Sequence, residues 1–297
     1  MRIAIAHISL KLMSKKVNFE KAKRVVHEAK QRGAKAVILP SMLNIGPIFS
    51  FYSPAQVKSI VRNHAERIPS GPTATFLSSL AVSSGVFIIS GPIIERAGPK
   101  VFLTSFAVSP AGSFLKRYRK IVLNPIDRTL GFSEGRTLEF FDLKEKYGVM
   151  IEGDVLFPEI ARGLTILGST VLLAFPRIEP AFDKKLRKLL EARSIENNLP
   201  IISMGGIVKS QEQTLSELPT YIFDPSEGLL EEILLEGGKS EERKEEDERV
   251  VILELQNYTQ KSYTQDQKYS YSLYSIIYRN LKRYLEGKVG EAEEKEE

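Results

Sequence analysis

At 297 residues, 42% hydrophobic, the chain is long enough to bury a substantial core as one large α/β domain or two small ones. It has no cysteine, which excludes disulfides, thiolate metal sites and any cysteine nucleophile, and its three histidines (His7, His27, His64) are too scattered to suggest a metal site or a Ser-His triad. The net charge of +5 conceals segregation: Glu231–Arg249 has nine acids against four bases and Glu286–Glu297 six against two, so the remainder is strongly basic. No RNA- or DNA-binding signature accompanies that excess, so a solvated, lysine-rich surface is the plainer account and a nucleic-acid partner the less favoured alternative.

In chain order, Arg2–Ile8 reads as a strand, not a signal peptide, and Lys11–Lys16 as a loop. Asn18 is placed to cap a helix from Phe19 to about Arg32, which Gly33 closes. Ala36–Leu39 is a buried strand ended by Pro40-Ser41, giving a β-α-β opening with parallel strands. Gln56–Arg67 and Pro72–Ser83 read as helices and Val86–Ser90 as a strand stopped by Gly91-Pro92. Val101–Ser109 and Gly112–Tyr118 form a hairpin that ends in the basic run Arg117–Lys120, where Arg117 and Arg119 share a parity opposite to Lys120. His7, on the first strand, reads as a satisfied core or pocket-edge histidine, not a catalytic one.

Thr137–Asp142 is a further strand. The apolar run Val149–Ile151 is a buried strand followed by Glu152-Gly153-Asp154 and by Phe157-Pro158-Glu159, which opens a helix reaching Gly168. Strand-end turns of this kind are where ligands and nucleophiles sit in α/β folds. Val171–Phe175, Pro200–Met204, Thr220–Asp224 and Arg249–Leu255 are strands, Ala181–Asn198 is a long helix, and Gly205-Gly206 a turn or bulge. From Lys268 to Glu286, Tyr271, Tyr274, Tyr278, Leu281 and Leu285 fall on one helical stripe. The domain reading is a body over 1–256, a tyrosine-rich helical extension over 257–289 and an acidic disordered tail over 290–297.

Five stretches in order resemble the nitrilase superfamily, the carbon–nitrogen hydrolases: Gly33–Pro40, Tyr118-Arg119-Lys120-Ile121, Ile151–Glu159, Glu191–Asn198 and Ile222–Gly228. The resemblance covers roughly Met1 to Leu255 and implies a four-layered αββα sandwich that pairs through its helical faces into αββα–αββα homodimers or higher assemblies. The family's chemistry uses a glutamate base, a lysine and a cysteine nucleophile against a nitrile or amide carbon. Carried over residue by residue, the glutamate position is Ser41, the lysine is kept as Lys120, and the cysteine position is Glu152. A second family glutamate falls at Asp127 or Arg128, and acids at the places of Asp154 and Glu159 serve structural hydrogen bonds in the family.

Serine is not a base near neutral pH, and a carboxylate is a poor nucleophile toward an amide. The expectation is therefore a protein that has lost hydrolysis (a pseudoenzyme) and binds a small molecule in the vestigial pocket or a protein partner. The alternatives are an enzyme of changed mechanism, with Glu152 or Asp127 as acid or base around Lys120, and a basic scaffold for RNA or a ribonucleoprotein. No residue is assigned as catalytic, no cofactor or metal is expected, and Glu152 is expected to pair with Lys120 as the countercharge a buried lysine needs. The absence of any long apolar run predicts no membrane contact and a cytoplasmic location, and abundant charge without cysteine or tryptophan suits a thermophile.

Overall fold

A computed structural model describes residues 1–178, 183–210, 213–234, 248–255 and 272–282. The chain divides into two compact units, Met1–Gln256 and Asn257–Glu297. In the first, the elements in order are β1 (Arg2–Lys11), α1 (Lys15–Gln31), β2 (Ala36–Leu39), α2 (Pro54–His64), α3 (Pro72–Ser84), β3 (Phe87–Ala97), β4 (Lys100–Val108) and β5 (Phe114–Arg119). They continue as α4 (Pro125–Leu130), β6 (Phe140–Asp142), β7 (Lys146–Ile151), a turn of 3-10 helix over Glu152–Leu156, α5 (Pro158–Ile166), β8 (Val171–Phe175) and α6 (Asp183–Asn197). The last are β9 (Ile201–Ser203), β10 (Gly206–Ser210), β11 (Gln213–Leu218), β12 (Thr220–Asp224), β13 (Gly228–Ile233) and β14 (Glu248–Glu254).

Among the described residues the strands form two mixed sheets, in the orders β11-β10-β1-β2-β3-β4-β5 and β13-β12-β9-β8-β7-β6. Strand β14 runs antiparallel to the first seven residues of β1, from Arg2↔Glu254 to Ile8↔Glu248, while β10 runs parallel to its end from Ser9↔Ile207. Side-chain alternation builds the layers. On β1, Ile3 and Ile5 face a core shared with Val149, Ile151, Leu173 and Phe175 of the other sheet. Ala4, Ala6 and Ile8 instead meet Val25 and Val26 of α1 and Leu77 of α3. On the far side Met150, Leu172 and Ala174 pack on Leu164 of α5 and Leu186 and Leu190 of α6. The result is the αββα sandwich that the family resemblance implies.

Several local expectations change. Helix α1 starts at Lys15 with Ser14 before it, because Asn18 is buried and bonds the backbone of Lys11 in both directions (2.8 and 2.9 Å) instead of capping. Strand β3 runs through Gly91-Pro92 with a register shift between Ser90 and Ile93. A Cβ at Gly91 would lie 2.5 Å from the Pro40 carbonyl carbon, so glycine lets β3 pass against the chain leading into Ser41. The hairpin β10–β11, strand β13 and helix α4 were not expected. Their segments are short and only partly apolar, and tertiary pairing decides them.

In the second unit residues 272–282 are helical, with Leu273, Ile276, Ile277 and Leu281 exposed. The rest of the tyrosine-rich stripe, the acidic tail and most of the acidic segment before Arg249 lie outside the described residues. Among the described residues no helix is long and apolar enough to cross a membrane.

Candidate functional site

The carboxyl ends of β5 and β7 bring Lys120 and Glu152 together. Lys120 follows β5, and its backbone is fixed on both sides: its N–H donates to Leu103 O (2.9 Å) and its carbonyl accepts from Gly135 N–H (2.7 Å). The close approach needs glycine, since a Cβ at Gly135 would sit 2.2 Å from Arg119 O. Strand parity sends Arg117 and Arg119 the other way, onto the buried Glu95 at 3.1 and 2.7 Å, with Arg119 stacked over Phe102. Lys120 points inward and is 1% exposed.

Lys120 Nζ donates to Glu152 Oε2 and to Asp127 Oδ2, both at 2.6 Å. Asp127 arrives on α4, where Asn124 caps the helix, and it is wholly buried. It is thus Asp127, not Arg128, that reaches the lysine; Arg128 is turned outward to Glu134 at 2.6 Å. A second cation closes the cluster. Arg177, two residues past β8, donates to both oxygens of Glu152 (Nε to Oε1 3.2 Å, Nη2 to Oε2 2.8 Å) and to Asp127 Oδ1 (2.9 Å). Its guanidinium lies 4.5 Å from the centroid of the Phe49 ring. Arg177 was missed in the sequence, although its place just past the carboxyl end of a buried strand was a usable signal.

Burial pushes the Glu152 carboxyl up, but the charges of Arg177 and Lys120, with their hydrogen bonds, outweigh it and hold the group at about 2. Glu152 is therefore a carboxylate at neutral pH. It also has φ +48°, a left-handed backbone that non-glycine residues rarely adopt and that costs on the order of 1–3 kcal/mol. Met42, beside Ser41, has φ +55°. Both line one cavity of about 10 Å³, the space of roughly one water, together with Ser41, Phe49, Leu103 and Arg177. Ser41 is 8% exposed, and its Oγ is buried without a hydrogen-bond partner among the described residues.

Asp154 supports this site without entering it. It accepts from Tyr118 Oη (2.7 Å) and from the N–H groups of Ile121, Val122 and Ile151 (3.2, 2.8 and 3.0 Å), tying the β5 end to the β7 turn. Burial raises its carboxyl, and burial beside Asp154 raises the Tyr118 phenol. Glu159, expected to make structural hydrogen bonds, instead lies exposed in the first turn of α5. His7 lies against Thr220 Oγ1 (2.9 Å) and Glu217 (3.2 Å), a satisfied core histidine. Among the described residues no group of three or more His, Asp or Glu is placed to hold a metal ion.

The carbon–nitrogen hydrolase family model matches residues 2–241. A "Nitrilase" from Pyrococcus abyssi is 35% identical over 174 residues, covering 58% of this chain and 63% of that protein. The omega-amidase NIT2 of Xenopus tropicalis is 33% identical over 168 residues, covering 54% and 57%. The aligned part thus spans about three fifths of the curated relatives. Among solved structures, an amidase from Nesterenkonia sp. AN1, described with acrylamide added at its active-site cysteine, superposes with a TM-score of 0.67 at 16% identity over 91% of this chain and 99% of that one, a likeness of fold alone.

These relatives overturn the expectation of a binding descendant that has lost hydrolysis. At 30–35% identity they are named as a nitrilase, omega-amidases and a hydrolase, and none of them is named for a binding-only role. With the family model matched over most of its length and the same layered fold, the chain belongs to the carbon–nitrogen hydrolase superfamily.

Proposed function

We propose that this protein hydrolyses small, uncharged carboxamides with water, not a thiol, as the nucleophile, and that Glu152 is the base. The observation that carries the reading is the Glu152 carboxylate. It stands on a left-handed turn at the end of β7, between Lys120 and Arg177, beside a cavity the size of one water. Two acids and two cations balance within the cluster, which favours a neutral substrate. The cavity of about 10 Å³ has room for the attacking water alone, so an amide must open it further, and its apolar walls from Met42, Phe49 and Leu103 favour a short aliphatic group there.

In the proposed step, water held near Ser41 and Glu152 attacks the amide carbon. A C–O bond forms, the water proton passes to Glu152, and the charge developing on the carbonyl oxygen is offset by Arg177, the cation that lines the cavity. Collapse breaks the C–N bond, and Glu152 returns the proton to the leaving nitrogen. The products are a carboxylic acid and ammonia or an amine. A base role avoids the mixed anhydride that a carboxylate nucleophile would have to form.

The test is ammonia release from propionamide and butyramide by purified protein pretreated with iodoacetamide. Turnover should persist, because the chain has no thiol to alkylate and any contaminating cysteine hydrolase is silenced. Glu152→Gln and Lys120→Met should each lower it by about 100-fold or more. Ammonia release no greater than that of Lys120→Met would overturn the proposal.

A further inference from the structure

Two cations hold Glu152, and their mountings differ. Lys120 is 1% exposed, its backbone is bonded to Leu103 and Gly135, and its ammonium is shared with buried Asp127. Arg177 sits past the end of β8, follows Pro176, keeps 13% of its side chain exposed and lines the cavity. It faces the aromatic ring of Phe49 from the cavity side. Of the two, Arg177 stands on the segment past its strand end and lines the cavity, whereas Lys120 is fixed directly at the end of β5 and is not part of the cavity wall.

We infer that Arg177 is the positioning residue that sets the basicity of Glu152: in the resting state it pins the carboxylate against Asp127 and Lys120, and its withdrawal makes Glu152 a base. This rests on the proposed role of Glu152 in hydrolysis. The charged groups facing Glu152 are Lys120 at the end of β5, Asp127 on α4 and Arg177 past β8, with Asp154 on its own turn engaged by Tyr118 and three backbone N–H groups. Burial works to protonate Glu152 and the cations work against it, Arg177 foremost among them. With Arg177 withdrawn, Lys120 and burial remain, and the carboxylate gains affinity for a proton at the point where water must lose one.

Direct titration separates this inference from the hydrolytic reading. Protein labelled at glutamate carboxyl carbons is titrated by NMR, with Glu152→Gln identifying the Glu152 signal, in wild type, Arg177→Gln and Arg177→Lys. The Glu152 midpoint should rise by more than one pH unit in Arg177→Gln and return most of the way in Arg177→Lys. The acidic limb of the ammonia-release profile should move by the same amount. An unmoved midpoint in a folded Arg177→Gln protein overturns the inference whatever the activity. A midpoint that moves in protein with no turnover supports Arg177 as the clamp and counts against the hydrolytic reading. Should Arg177→Gln fail to fold, Phe49→Leu loosens the guanidinium from its ring, and the same upward shift, smaller in size, is expected; no shift there overturns the inference.

Discussion

Replacing Glu152 by glutamine removes one charge from a four-charge cluster while keeping its shape. The carboxyl is held at about 2 in the folded protein against 4.5 for a free glutamate. A shift of that size corresponds to about 3 kcal/mol of stability at neutral pH, which agrees with the roughly 3–5 kcal/mol lost when one partner of a buried pair is removed. The folded value is depressed, so this contribution is complete above about pH 4.5 and is lost as the pH falls toward 2. Urea denaturation of wild type and Glu152→Gln should therefore differ by about 3 kcal/mol at pH 7, equivalent to a Tm drop of roughly 6–12 °C for a body of this size. The difference should shrink steadily between pH 4.5 and pH 2.5. A gap under about 1 kcal/mol at pH 7, or one equally large at both ends of that range, would refute the reasoning that Glu152 is an obligatory countercharge.

Lys120→Met should cost about 3–5 kcal/mol, because Asp127 and Glu152 keep only Arg177 as a cation; equal denaturation midpoints would contradict this. Ser41→Ala removes a buried hydroxyl without a partner, so it should leave stability unchanged or raise it by up to about 1 kcal/mol while lowering ammonia release. A destabilised Ser41→Ala would mean the hydroxyl has a structural role after all. Tyr118→Phe strips one donor from buried Asp154 and should cost about 1–3 kcal/mol, measured by the same denaturation series. Gly135→Ala forces a Cβ onto Arg119 O, so the Lys120 strand end must shift; a variant with wild-type stability and turnover would show that this close approach is unimportant.

The layered core was legible because alternation and helical spacing are local. Ile3 and Ile5 against Ala4 and Ala6 already separate the two faces of β1, and Val25, Val26 and Ala29 mark the buried face of α1. The expected pairing of Lys120 with Glu152 is present, and strand parity separated Lys120 from the Arg117–Arg119 pair that holds Glu95. What the sequence could not supply is which distant charge completes the cluster. Asp127 and Arg128 are adjacent, and only the helix turn of α4 decides that the aspartate faces Lys120 and the arginine faces Glu134. Arg177 lies fifty residues beyond Asp127, and its two-carboxylate bridge exists because β7 and β8 lie side by side in one sheet. Side-chain pattern is a property of neighbours along the chain, whereas charge balance in a buried site depends on chain segments that only folding brings within 3 Å.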